Sequence, residues 1–162
     1  MARSKRYKGD ALKRDGSTFA AIPYVVLESQ GYINLSAYAR ALLLEFCREF
    51  NGRNNGRLCC IWDQLKERGW NSPNTVTKAK AELIEQGLVW ESRKGAFPHR
   101  PSWYALTWRD LDVTEDLDAA PSAFPRRAYL HVDPLIREKK VVGRKKAKPS
   151  ASPVTWHVSK AA

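Results

Sequence analysis

Few side chains in this 162-residue sequence are spaced for bond-making chemistry. Cys59 and Cys60 are adjacent and lack the C-x2-C spacing of a zinc site, and no histidine stands at ligand distance from them. Cys47 falls on the apolar face of a helical pattern, so all three cysteines read as small apolar fillers. His99, His131 and His157 are isolated. There is no phosphate-cradling glycine loop, no G-x-S-x-G, no H-E-x-x-H and no carboxylate pair that a fold would bring together. The expectation is a protein that is not an enzyme and carries no cofactor or metal. What the sequence does offer is hydrogen-bonding and cationic chemistry in two places. Ser72, Asn74, Thr75, Thr77 and Lys78 share one short stretch, and Arg93, Lys94, His99 and Arg100 share another. An asparagine amide can bond an adenine edge bidentately, and a lysine can reach guanine or a phosphate.

The elements that must hold these residues are legible in the pattern. Ser72-Pro73 opens a helix over 73–86: the serine caps it, and proline takes the first position, where its missing N–H costs nothing. Val76, Ala79 and Leu83 form its buried stripe, with Ile84 at the edge, and Gly87 ends it. Asn74, Thr77, Lys78 and Ala81 fall on the opposite side. Ser72 and Thr75 sit at the helix start, where unpaired N–H groups favour a phosphate. Lys80, between the buried positions, is expected to run its stem along the apolar surface. Glu82 and Glu85 make the far half of this helix acidic.

Upstream, Ser36 caps a helix whose apolar residues recur at Ala39, Leu42, Leu43, Phe46, Cys47 and Phe50, with Asn51-Gly52 as its stop. A shorter helix from Pro23, with Tyr24, Val25, Val26 and Leu27 on its buried side, is expected to end at Gly31. Asn54-Asn55-Gly56 reads as a turn, 57–60 as a short strand, and 62–68 as a short helix ending at Gly69. Residues 88–93 and 102–107 pair as a hairpin whose long tip carries the second basic group. Trp62, Trp70, Trp90, Trp103 and Trp108 are expected in the core.

Charge sits mostly at the ends. The formal net charge is +11, of which +4 belongs to residues 1–19, +3 to 20–110 and +4 to 111–162. Within the last part, Asp112 to Asp118 is acidic, while Ile136 to Lys148 carries seven basic residues and one acidic. The acidic run reads as a solvated linker. An excess of this size attracts polyanions, nucleic acid foremost. No stretch approaches the roughly 20 apolar residues that span a bilayer, and the basic start has no apolar segment behind it. With an odd cysteine count and no disulfide framework, a cytoplasmic location without membrane contact is expected.

The order helix, short strand, helix, tight turn, helix, strand, basic loop, strand fits two helices packed steeply, one crossing the phosphate backbone and the next entering the major groove. Gly56-Arg57-Leu58, Asp63–Leu65, Ser72-Pro73-Asn74-Thr75-Val76, Ala79, Glu82-Leu83, Gln86-Gly87-Leu88-Val89 and Trp103-Tyr104-Ala105-Leu106-Thr107 resemble the signature of bacterial and phage winged helix-turn-helix proteins over residues 33–108. The chain as a whole resembles, more loosely, small prophage or plasmid helix-turn-helix proteins and the DNA-binding part of replication initiators. The resemblance implies a mainly α domain with a small β-hairpin wing (α+β), in which Ser72, Asn74, Thr75 and Lys78 contact double-stranded DNA. It also implies a role in transcription regulation or in phage or plasmid replication, with the tail able to dock a replication or transcription protein. The expected division is a disordered basic arm at 1–18, the winged domain at 19–110, and a mostly disordered basic tail at 111–162, in which Tyr129-Leu130-His131-Val132 is a docking segment. The rival expectation is a winged-helix adaptor or inhibitor that binds protein and has only nonspecific affinity for nucleic acid.

Overall fold

Serine side chains set the start of three helices. Ser29 accepts a hydrogen bond from the Tyr32 N–H and opens α2 (Gln30–Asn34), which follows the four-residue α1 (Tyr24–Leu27). Ser36 accepts from the Ala39 N–H and opens α3 (Ala37–Glu49). Ser72 accepts from the Thr75 N–H and opens α5 (Pro73–Glu85), with α4 (Trp62–Glu67) just before it. Each serine satisfies a first-turn N–H that has no partner within its helix. These elements belong to a computed structural model that describes residues 19–96 and 100–135. The arm expected at 1–18, His99 and the end of the tail from 136 lie outside the described residues.

Three short strands complete an α+β arrangement. β1 (Leu58–Cys59) and β2 (Val89–Arg93) both pair antiparallel with β3 (Trp103–Leu106), giving the order β1-β3-β2. The β2–β3 register runs from Val89 opposite Leu106 to Arg93 opposite Trp103, with a bulge at Ser92 between Glu91 and Arg93. The hairpin is closed further out by mutual hydrogen bonds between Ala96 and Arg100.

The core lies where α3 crosses α5 above the sheet. Ala39, Leu42, Leu43, Phe46 and Cys47 of α3 are buried with Val76, Ala79 and Leu83 of α5, and with Leu58, Tyr104 and Leu106 of the sheet. Phe46 and Tyr104 meet with ring centroids 5.5 Å apart in a tilted pair. Apolar steps of three and four on two helices thus meet one inward sheet face. Among the described residues, no helix is long and apolar enough to cross a membrane.

Four expectations need correction. Gly31 does not end a helix but lies buried inside α2, where a Cβ would sit 2.7 Å from the Gln86 carbonyl oxygen. Of the residues assigned to the buried side of α1, only Val26 is fully buried, while Tyr24 and Val25 face solvent. Of the five tryptophans expected in the core only Trp108 is buried; Trp62, Trp70, Trp90 and Trp103 are half-buried.

The folded part also does not stop at 110. Residues 111–135 run on over the sheet and back to α2, with short 3-10 turns at Pro121–Ala123 and Ala128–His131. Tyr129 is 1% exposed within the core and meets Trp108 edge to face. The expected docking segment is therefore docked on its own chain. Backbone pairing carries much of this: Asp112 N–H to the Asn55 carbonyl, Asp118 N–H to Ser92, and Arg127 N–H to Thr107. At the far end Asn34 donates to the Asp133 carbonyl and accepts from the Leu135 N–H.

Candidate nucleic-acid interface

The two groups of candidate residues meet different fates. Along α5, Asn74, Thr77 and Lys78 are exposed, and Ser72 and Thr75 are half-buried at the helix start. The side chains of Asn74 and Lys78 make no hydrogen bond or ion pair with another described residue, and Thr77 turns its hydroxyl back onto the Pro73 carbonyl at 3.0 Å. The N-terminal half of α5 thus presents an amide and an ammonium group to solvent. Lys80 belongs to the interior side: its Nζ stands 5.3 Å from the centre of the Tyr104 ring. Burial opposes its charge, but the neighbouring Tyr104, followed by Cys60 and Glu91, outweighs that and raises its pKa.

Glu82 does not stand free on the acidic half of the helix. Its carboxylate accepts from both the backbone N–H and the hydroxyl of Ser36, so it is spent on the N-terminus of α3. Glu85 stays exposed.

One side chain that sequence reasoning missed flanks this face. Tyr38 is 64% exposed on α3 and lines two adjoining clefts. One, of about 360 Å³, places it with Arg68, Trp70 and Thr75; the other, of about 330 Å³, places it with Ser36 and Lys78. Tyr38 and Trp70 have ring centroids 6.5 Å apart. Tyr38 was visible in the pattern as an aromatic residue off the apolar stripe of α3. Its neighbours on another helix were not.

The hairpin group is largely engaged already. The Arg93 guanidinium stacks on Trp103, 3.1 Å from the ring centre, and donates to the Pro101 carbonyl at 3.3 Å. Arg100 forms an ion pair with Asp118. Lys94 is exposed, but its backbone N–H donates to the other oxygen of Asp118 at 2.9 Å. The acidic run expected to be a solvated linker thus supplies the partner. Among the described residues no three His, Cys, Asp or Glu side chains gather as a metal site. Burial pushes the Cys47 thiol up to about 12 and the Cys60 thiol up to about 11, against their use as ligands or nucleophiles at neutral pH.

Charge divides between body and ends. The described residues hold fourteen basic and fourteen acidic side chains, so the +11 comes from 1–18, at +4, and 136–162, at +7. No family model, curated protein or solved structure matches the chain significantly.

Proposed function

We propose that this chain is a winged helix-turn-helix protein that binds double-stranded DNA, with sequence preference set by the helix at 73–86. The reading adds that it serves as a phage- or plasmid-type replication or transcription regulator. The observation that carries the binding is the outward face of α5: Asn74, Thr77 and Lys78 exposed around a serine-capped N-terminus, on a helix locked to α3 by its opposite side. A helix whose N-terminal half exposes an amide and an ammonium group matches major-groove readout. The β2–β3 hairpin that follows α5, joined by β1 from ahead of it, suits the wing of that class.

The neutral body favours a second reading. A protein-binding adaptor would use the same helix face on a partner and hold nucleic acid only through its charged ends. Selection of bound fragments from a random duplex pool at about 150 mM salt separates the two, because nonspecific attraction is already weak there. The DNA reading expects the full chain to enrich a motif, and the Asn74→Ala, Lys78→Ala double variant to lose it. Retention without any enriched motif would overturn that reading in favour of the adaptor.

A further inference from the structure

We propose that the hairpin tip holds a phosphate site, made by the Lys94 backbone N–H and the Arg100 guanidinium, and that Asp118 fills it in the free protein as a built-in competitor. The anion chemistry stands by itself; that the competing phosphate belongs to DNA rests on the function proposed above.

The site is built by the hairpin. Ala96 and Arg100 exchange backbone hydrogen bonds at 2.8 and 2.9 Å, which fixes the backbone of Arg100 beside β2 and β3. Gly95 donates to the Ser102 hydroxyl, and a Cβ on Gly95 would meet the Arg100 carbonyl oxygen and the Ser102 nitrogen at 2.9 Å. The base of the tip therefore aims one N–H and one guanidinium the same way. The anion now in place uses both: one Asp118 oxygen takes the Lys94 N–H and the other takes Arg100. Two donors on two oxygens of one anion is also how a phosphate is held.

Asp118 is put there by the fold. The bulge at Ser92 leaves its carbonyl to the Asp118 N–H at 3.2 Å, which brings the acidic segment alongside the tip. The neighbouring acids do other things. Asp110 pairs with Arg126, Asp112 accepts from the Asn55 N–H, and Glu115 and Asp116 are exposed without a hydrogen bond or ion pair to any described residue. The ion pair is open to solvent, with side-chain exposures of 48% for Arg100 and 39% for Asp118, so an outside phosphate can reach it. An exposed pair of this kind is weak enough to exchange.

The test uses the full chain and two probes. With inorganic phosphate, the Lys94 amide resonance is expected to shift in Asp118→Ala, and in the wild type to shift only at about three- to tenfold higher phosphate. A silent Lys94 amide in Asp118→Ala overturns the site. With a DNA duplex, Asp118→Ala should bind about three- to tenfold more tightly, with a salt slope steeper by about one. Asp116→Ala removes the same charge and should gain clearly less. Adding Arg100→Gln to Asp118→Ala should cancel the gain. An equal gain from Asp116→Ala, or one that survives Arg100→Gln, reduces the effect to general repulsion and overturns the competitor. If no form binds duplex while the Lys94 amide still answers phosphate, the phosphate site stands and the DNA reading falls.

Discussion

Lys78 differs from most of the other described cations in having its charge unspent. Arg93 lies on Trp103, Arg100 on Asp118, Arg126 on Asp110 and Arg68 on Glu45, whereas Lys78 is exposed and pairs with no described residue. Lys78→Ala is therefore expected to weaken duplex binding without loss of stability. If the ammonium touches a base the cost should be about 1–3 kcal/mol with relaxed specificity at one position; if it touches a phosphate, the salt slope should fall by about one with specificity intact. Titrations of the selected duplex at several salt concentrations decide between the two, and unchanged affinity and slope would move the recognition face elsewhere. Asn55 shows how much one polar side chain can hold. It is fully buried, its amide donates to the carbonyls of Leu106 and Asp110, and its oxygen accepts from the Leu106 N–H at 2.7 Å. Asn55→Ala strands those backbone groups and should cost about 2–3 kcal/mol in urea unfolding. The cysteines should separate by burial: at pH 8 a thiol raised to about 12 is ionised in about one molecule in ten thousand, so alkylation should run Cys59 first, Cys60 next and Cys47 last. Mass mapping of a time course reads that order.

Among the elements, legibility followed local signals. α3 and α5 announce themselves because each carries a serine cap and an apolar stripe with helical period, and the face of α5 away from that stripe follows from the same wheel. The stretch from 111 to 135 carries no such period. Its large apolar anchors, Phe124 and Tyr129, stand five residues apart among prolines and charges, and the rest of its attachment is backbone pairing and scattered polar contacts such as those of Asp112 and Asp118. Composition therefore reads it as loose chain, while long-range hydrogen bonds hold it. The same cause hid the state of the hairpin cations, because Asp118 reaches Arg100 from eighteen residues away. Gly31 misled for a related reason: it is small to admit the Gln86 carbonyl and Tyr129, not to stop a helix. If 111–135 is an integral layer, Tyr129→Ala should destabilise the whole body by about 3 kcal/mol or more, as for a buried aromatic residue elsewhere in a core. Gly87→Ala should act in the same direction, since its φ of +67° is strained for alanine and the new Cβ would lie 2.8 Å from the Ala128 carbonyl carbon. Thermal unfolding of the two variants checks both; wild-type stability for Tyr129→Ala would return the segment to a loosely attached tail.

Over the whole molecule, net charge and shaped surface fall to different parts of the chain. A body with equal numbers of acids and bases has little long-range pull on a polyanion, whereas ends of +4 and +7 have a strong one. The body, in turn, holds the shaped surface: Asn74, Lys78 and the adjoining Tyr38 cleft. On the proposed function, the ends set how much DNA is bound and how steeply salt releases it, and α5 sets which DNA is preferred. Changing the seven basic residues between 137 and 148 to glutamine tests that division in the full-length chain. Each phosphate contact removed lowers the log–log salt slope by about 0.9, so the slope should fall by up to about six while the motif enriched from the random pool stays the same. Lys78→Ala should do the reverse, with a small change in slope and a large change in motif if it reads a base. A motif that disappeared with the charged end would place recognition in that end and leave α5 as scaffold, while an unchanged slope would mean the end is turned away from DNA and its charge serves another partner.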